Sequence, residues 1–288
     1  MKEIVVLSGK GGTGKTSIVA SFAALAQSKV LADCDVNAAG LHFLLKPVIQ
    51  EKHEFWSGQV AFIDEERCNQ CSLCEDVCRF DAINDVINNC KIDSISCEGC
   101  RFCYNICPEE AITMKENLSG NWFISNTKYG PLVHARLGIT QENSGKLVAL
   151  VRQKAKKIAE GEGLDWIISD GPAGIGCPVI SSLFEANLAL LVTEPTLSGI
   201  HGLERVLDVC YRFSVPVLVC INKYDINEDN ARHIESYCLS RGIEIASKIP
   251  FDNVVTRALV QGLPVVEYND NSVSQQIKAL WESISRVL

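Results

Sequence analysis

At 288 residues, 47% of them apolar and with a formal net charge of −8, the chain has core enough for one large or two modest globular domains. No apolar run approaches the roughly 18 residues of a membrane span, and the short N-terminal hydrophobic run ends in a glycine-rich loop. No membrane anchor or secretory leader is therefore expected, and the expected location is cytoplasmic. There is no basic stripe of the kind that nucleic acid requires. Fourteen cysteines in a reducing compartment point to metal or redox chemistry rather than disulfides.

A short β-branched run, Ile4 to Leu7, leads into Gly9-Lys10-Gly11-Gly12-Thr13-Gly14-Lys15-Thr16, and a helical pattern runs from Ser17 to Gln27. This strand–loop–helix context is what the G-x-x-x-x-G-K-[ST] phosphate loop requires. The glycines let backbone N–H groups close on phosphates, and the helix N-terminus adds its positive end. Lys15 is expected at the β- and γ-phosphates and the Thr16 hydroxyl on Mg²⁺, with Gly9 to Ser17 as the contacts to ATP or ADP. Lys10, directly after the first glycine in KGGTGKT, resembles the deviant phosphate loop of the MinD/ParA/nitrogenase iron protein class. The resemblance implies that Lys10 crosses a homodimer interface to the partner subunit's nucleotide; in an ordinary phosphate loop it would be a solvated lysine.

The next strand, Lys29 to Ala32, ends in Asp33-Cys34-Asp35, two acids at a strand C-terminus beside the phosphate loop. The same resemblance places Asp35 in switch I, orienting the attacking water, and gives Asp33 a share in the Mg²⁺ shell. Asn37 to Leu45 is then the switch segment, leading into a short helix. Residues 46–63 read as a connection and a strand entering a separate unit.

That unit carries Cys68-x2-Cys71-x2-Cys74-x3-Cys78 and, 29 residues later, Cys97-x2-Cys100-x2-Cys103-x3-Cys107-Pro108. Each copy matches the bacterial ferredoxin run, in which three close thiolates hold one cluster and the fourth reaches the other. One 4Fe–4S cluster is accordingly assigned to Cys68, Cys71, Cys74 and Cys107, the second to Cys97, Cys100, Cys103 and Cys78. Paired C-x2-C can also hold zinc. Arg79 stands where the ferredoxin pattern has proline, which removes no ligand. Cys90 is expected in a hairpin strand as a small packed side chain, and Cys34, Cys210, Cys220 and Cys238 as core residues. From Asp64 to Glu116 there are twelve acidic and five basic residues, so the insert holds nearly all the net charge and suits a basic protein partner.

Trp122 to Ser125 and Leu132 to Arg136 read as returning strands, and a helix is expected from Glu142 to Ala159. A hydrophobic strand then ends in Asp170-Gly171-Pro172-Ala173-Gly174. This is the Walker-B arrangement, with Asp170 in the Mg²⁺ shell, and it resembles the switch II of MinD-type ATPases. Cys177 echoes the cluster cysteine of the nitrogenase iron protein, but that family's second cysteine has no counterpart between 109 and 176; a structural or exposed thiol is expected. Strands at Leu188 to Val192, Val217 to Ile221 and Ile243 to Ile249 alternate with helices ending near Tyr211 and Ser240. In the resembled class Asn222 reads adenine and Pro250 borders its pocket; a strand-end asparagine can equally be a turn former. The last helix, from Val273, puts Ile277, Leu280, Trp281, Ile284 and Leu288 on one face and is expected to pack in the core rather than on a membrane.

Together these features look like a MinD/Mrp-type ATPase, residues 1–57 and 118–288, with an inserted two-cluster ferredoxin-like α+β domain at 58–117. The fold class expected is α/β, a twisted, mainly parallel sheet with helices on both faces. Three functions follow from the resemblance: an ATP-hydrolysing electron carrier with a redox partner, an Mrp-type ATPase that assembles or delivers metalloclusters to a client protein, and a positioning or regulatory ATPase that senses redox state.

Overall fold

The computed structural model describes residues 1–84, 86, 91–138 and 144–288. Two compact units are present: residues 1–53, 122–136 and 144–288, and residues 54–121 with 137–143. The expected hairpin strand at Cys90 and the expected helix start at Glu142 and Asn143 lie outside the described residues.

The first unit opens with β1 (Lys2–Ser8), α1 (Lys15–Leu25), β2 (Lys29–Asp33), α2 (Leu41–Leu45) and the start of β3 (Val48–Ile63). Two short helices, α3 (Leu73–Asp76) and α4 (Phe102–Ile106), belong to the second unit, and β4 (Ile112–Thr127) carries the chain back. There follow β5 (Gly130–Leu137), α5 (Ser144–Glu162), β6 (Trp166–Ala173), α6 (Cys177–Leu183), β7 (Leu188–Thr193), α7 (Leu197–Arg212), β8 (Val217–Asn222), α8 (Glu228–Ser240), β9 (Glu244–Ile249), α9 (Asn253–Gln261), α10 (Val265–Tyr268) and α11 (Ser272–Val287). Both β3 and β4 are 16 residues long, so the unit boundaries fall inside continuous strands, four residues outside the expected 58–117 on each side.

The strand order is β3-β4-β5-β2-β6-β1-β7-β8-β9. Pairings of β1 with β6 and β7, of β2 with β5 and β6, and of β8 with β7 and β9 are all parallel. Such strands are covered on both faces, which is why they read as unbroken apolar runs. The period of two sorts them: Ile4, Val6, Leu188, Leu190, Leu218 and Cys220 pack under α1 and α9–α11. Val5, Leu7, Ala189, Leu191, Val219 and Ile221 pack under α6–α8. On α11, Val273, Ile277, Leu280 and Ile284 are buried and Trp281 and Leu288 lie against the same core, so this helix is a packing element. Glu3 and Arg152 form a buried two-pronged ion pair, with both N–O distances 2.7 Å, that ties α5 to β1.

The second unit is small. Its core is Ala61, Ile63, Cys74, Ile83, Val86, Cys103 and Ile112, with Cys68, Cys78, Cys97 and Cys107 packed against it. The sequence repeat is also a backbone repeat. Left-handed φ values at Gln70, Ser72 and Asp81 recur 29 positions on at Gly99, Arg101 and Glu110.

Candidate nucleotide site and thiol-lined cavities

The phosphate loop leaves the C-terminal end of β1, between β6 and β7 and near the point where connections turn from one side of the sheet to the other, the usual ligand position in an open α/β sheet. Two glycines show what the loop demands. Gly14 is left-handed at φ 99°, and a Cβ there would lie 2.4 Å from Asn222 Nδ2; a Cβ on Gly9 would lie 2.1 Å from the backbone of Gly202 in α7. Lys15 is buried, and its Nζ donates to Ser8 Oγ at 2.9 Å, while Ser8 Oγ donates to the Lys10 carbonyl at 2.6 Å. Ser8 thus braces the lysine from the strand end.

Asp33 and Asp170 are direct cross-strand neighbours on β2 and β6. Asp33 is fully buried; its Oδ1 accepts from the Asp35 N–H and its Oδ2 from the Leu41 N–H, both at 3.2 Å. That second bond ties the start of α2 to the metal-side acids. Asp170 is 1% exposed, and among the described residues neither of its oxygens makes a hydrogen bond of ordinary geometry, though the nearby Thr16 hydroxyl favours its charged form; Thr13 Oγ1 is likewise buried and without a partner among those residues. Burial raises the Asp170 pKa to about 6 against the opposing pull of Lys15, and burial with the Asp170 charge raises that of Asp33 well above the usual range. An unsatisfied buried carboxylate costs several kcal/mol, about 1–3 as a neutral group and more as a charge, unless a cation arrives. With the Thr16 hydroxyl on the adjoining first turn of α1, the donor set is the hard-oxygen type that suits Mg²⁺.

Lys10 does not project away from its own chain. Its Nζ lies 2.6 Å from Glu194 Oε1 and donates to Thr196 Oγ1 and Ser198 Oγ at 3.2 and 3.0 Å. Glu194 also holds Lys223 Nζ at 2.9 Å, and Lys223 donates to the Gly12 carbonyl at 3.0 Å. Burial would raise the Glu194 pKa, but its bonds to Lys10 and Lys223 win and lower it. Asn222, expected at adenine, donates from Nδ2 to the Thr13 carbonyl at 2.7 Å and accepts from the Lys223 N–H at 3.0 Å. It clamps the phosphate loop. Pro250 follows β9, where Ile249 is the register partner of Asn222, so both lie at the loop's end of the sheet. Ser8, Glu194 and Lys223 were not singled out in the sequence; only their positions at strand ends beside a phosphate loop could have marked them.

In the second unit Cys68, Cys71, Cys74 and Cys107 line one small cavity, with Ile63, Val86 and Glu109 among its other walls. Cys97, Cys100, Cys103 and Cys78 line another, with Phe80 and Phe102. In each, three thiols come from one copy of the repeat and the fourth from the other. Backbone N–H groups of Gln70, Ala111 and Ala61 point at the sulfurs of Cys68, Cys107 and Cys97 at 3.3 to 3.4 Å. The thiols ring a space rather than a point: among the described residues no three His, Cys, Asp or Glu side chains meet closely enough for a single metal ion. Arg79 lies over the Phe102 ring, 5.8 Å from its centroid. Cys34, Cys210, Cys220 and Cys238 are buried, and Cys177 is exposed at the first residue of α6. No helix among the described residues is long and apolar enough to cross a membrane.

Comparison with known proteins agrees with this geometry. The family model for the CobQ/CobB/MinD/ParA nucleotide binding domain matches residues 4–265. An uncharacterised protein of Methanocaldococcus jannaschii, MJ0578, is 32% identical, covering 99% of this chain and 97% of its own length. The fold is that of the Pyrococcus furiosus cell division ATPase MinD, with a TM-score of 0.60 at 18% identity over 100% of this chain and 99% of that one. It is equally that of the Pyrococcus horikoshii septum site-determining protein MinD complexed with Mg-ADP, with a TM-score of 0.60 at 19% identity over 99% and 96%. The phosphate loop, the paired acids of β2 and β6 and the matched family model make this chain a member of the CobQ/CobB/MinD/ParA nucleotide-binding family.

Proposed function

We propose that the protein is a Mg·ATP-hydrolysing homodimer that couples its nucleotide state to electron transfer through two 4Fe–4S clusters held in the second unit. The observation that carries this reading is the grouping of eight thiols, three plus one, around two cavities in a chain whose other unit bears a phosphate loop. The donor set fits the group. Four soft sulfur ligands per cavity, N–H groups aimed at three of the sulfurs and a space between the thiols suit a cubane rather than one zinc ion. The protein environment fits too, since a core of so few aliphatic residues needs a bound group to be stable by itself. When bound, the clusters supply one-electron chemistry.

The chain's own residues do the rest. Lys15, already folded over the loop by Ser8, neutralises β- and γ-phosphate charge, and loop N–H groups fix the phosphates. Thr16 and Asp170 hold Mg²⁺, which relieves the orphaned carboxylate. Asp35 orients the attacking water. Lys10 leaves Glu194 to reach the partner subunit's nucleotide, so dimerisation exchanges one charge pair for another. The Asp33–Leu41 bond links this chemistry to α2, the end of the switch segment.

An anaerobic EPR redox titration with and without Mg·ATP tests the reading. Two reduced 4Fe–4S signals whose potentials or line shapes respond to Mg·ATP are expected. Zinc in place of iron ends the cluster assignment. Two clusters indifferent to nucleotide but transferred to an apo-ferredoxin would replace electron transfer by cluster delivery.

A further inference from the structure

One concave pocket of the first unit shares no residue with the phosphate loop, although Ala39 and His42 in its lining belong to the switch segment. It lies between α2, the start of β3 and the adjoining parts of β4 and β5, holds about 390 Å³ of space, and is lined by His42, Lys46, His134 and Arg136 over apolar walls that include Ile49 and Phe123. Among the described residues no carboxylate lines it. We propose that this pocket is a binding site for a small organic dianion, its acidic groups taken by Arg136, Lys46 and the two imidazoles and its carbon skeleton by Phe123 and Ile49.

The cationic groups are positioned rather than loosely gathered. His134 is 9% exposed; Ser125 Oγ and its Nε2 are 2.9 Å apart, and its ring stacks on Phe123 with centroids 4.9 Å apart and an interplanar angle of 20°. One ring nitrogen is thereby fixed, and His134 lines the pocket. Arg136 is two residues further along β5, on the same face of the strand, and has no ion-pair partner among the described residues. Lys46 caps α2 in a left-handed conformation, φ 47°, and its stem lies against Gly262, where an added Cβ would be 2.8 Å from Lys46 Cε. Among the described residues its Nζ reaches a carbonyl, that of Gln261, at 3.4 Å. These groups also repel one another. Burial first and then the neighbouring positive groups lower His134 to about 4, and burial with the Arg136 charge lowers His42. Charge-assisted bonds to a guanidinium and an ammonium are the strong kind in a partly enclosed site, and an apolar wall beside them fits a ligand with carbon as well as charge.

The pocket shares no residue with the Gly9–Thr16 loop, and holding the nucleotide in one state holds constant the switch segment that carries Ala39 and His42. The full-length protein, its nucleotide site saturated with Mg·ADP, is titrated with succinate and, in a second arm, with glycerol 3-phosphate, and the histidine imidazole NMR signals are followed. Saturable movement of His42 and His134 toward the imidazolium position, with His201 and His233 unmoved, is expected in at least one arm, which also identifies the preferred acid. Arg136→Gln, at an exposed position, should weaken binding by about tenfold or more, and Lys46→Gln should do so independently. Unsaturable movement shared by all the histidines and reproduced by sodium chloride overturns the proposal. So does affinity that survives in both variants.

Discussion

Asp170 and His134 are two buried titratable groups that oppose the fold in different ways. Neither oxygen of Asp170 makes a hydrogen bond of ordinary geometry among the described residues. Asp170→Asn is expected to stabilise the nucleotide-free protein by about 1–3 kcal/mol, because an amide is cheaper to bury than an orphaned carboxylate, while abolishing Mg²⁺-dependent ATP hydrolysis. Thermal unfolding without nucleotide and phosphate release with it check the two halves. His134 has a folded pKa of about 4 against about 6.5 unfolded. Between those values the unfolded chain takes up a proton that the folded one refuses, so stability falls as pH drops from about 6.5 to 4, by up to about 3 kcal/mol. His134→Asn should flatten that part of the stability–pH curve, measured by denaturant unfolding. An unchanged slope would place the acid sensitivity elsewhere.

At the scale of elements, the Glu3–Arg152 pair joins α5 to β1 beneath the strand that launches the phosphate loop. Both side chains are about 10% exposed, and Arg152 also donates to the Ser181 carbonyl and Glu3 accepts from Ser169. Removing one partner leaves the other charged, buried and unpaired. Arg152→Met is therefore expected to cost about 3–5 kcal/mol, read from the unfolding midpoint, and Glu3→Gln/Arg152→Met together less than the sum of the single changes. The sequence marked α5 by its apolar face. It could not mark this pair, because its members are 149 positions apart and nothing local distinguishes a paired arginine from a solvated one.

At the scale of the molecule, two units of different chemistry share one chain. The first has a two-faced apolar core; the second relies on thiols for much of its packing. On the proposed cluster reading, chelation of iron, or Cys74→Ser together with Cys103→Ser, is expected to loosen residues 54–121 while the first unit still binds nucleotide. Hydrogen exchange resolves this, protection falling in the second unit and persisting in β1, β6 and β7. Loss of protection throughout would show that the two units fold as one.

The sequence by itself determined the phosphate loop, the alternation of strand and helix and the doubled cysteine run. Each is a local signal: a glycine pattern, a burial period or a fixed spacing dictates its own backbone. Tertiary structure alone decided what the side chains do at long range. It put Lys10 on Glu194, set Asn222 on the Thr13 carbonyl, buried Asp170 beside Asp33 and gathered His42, Lys46, His134 and Arg136 around one pocket. Those outcomes depend on which strand lies beside which. Strand order is fixed by the packing of the whole sheet, and no short stretch of sequence contains it.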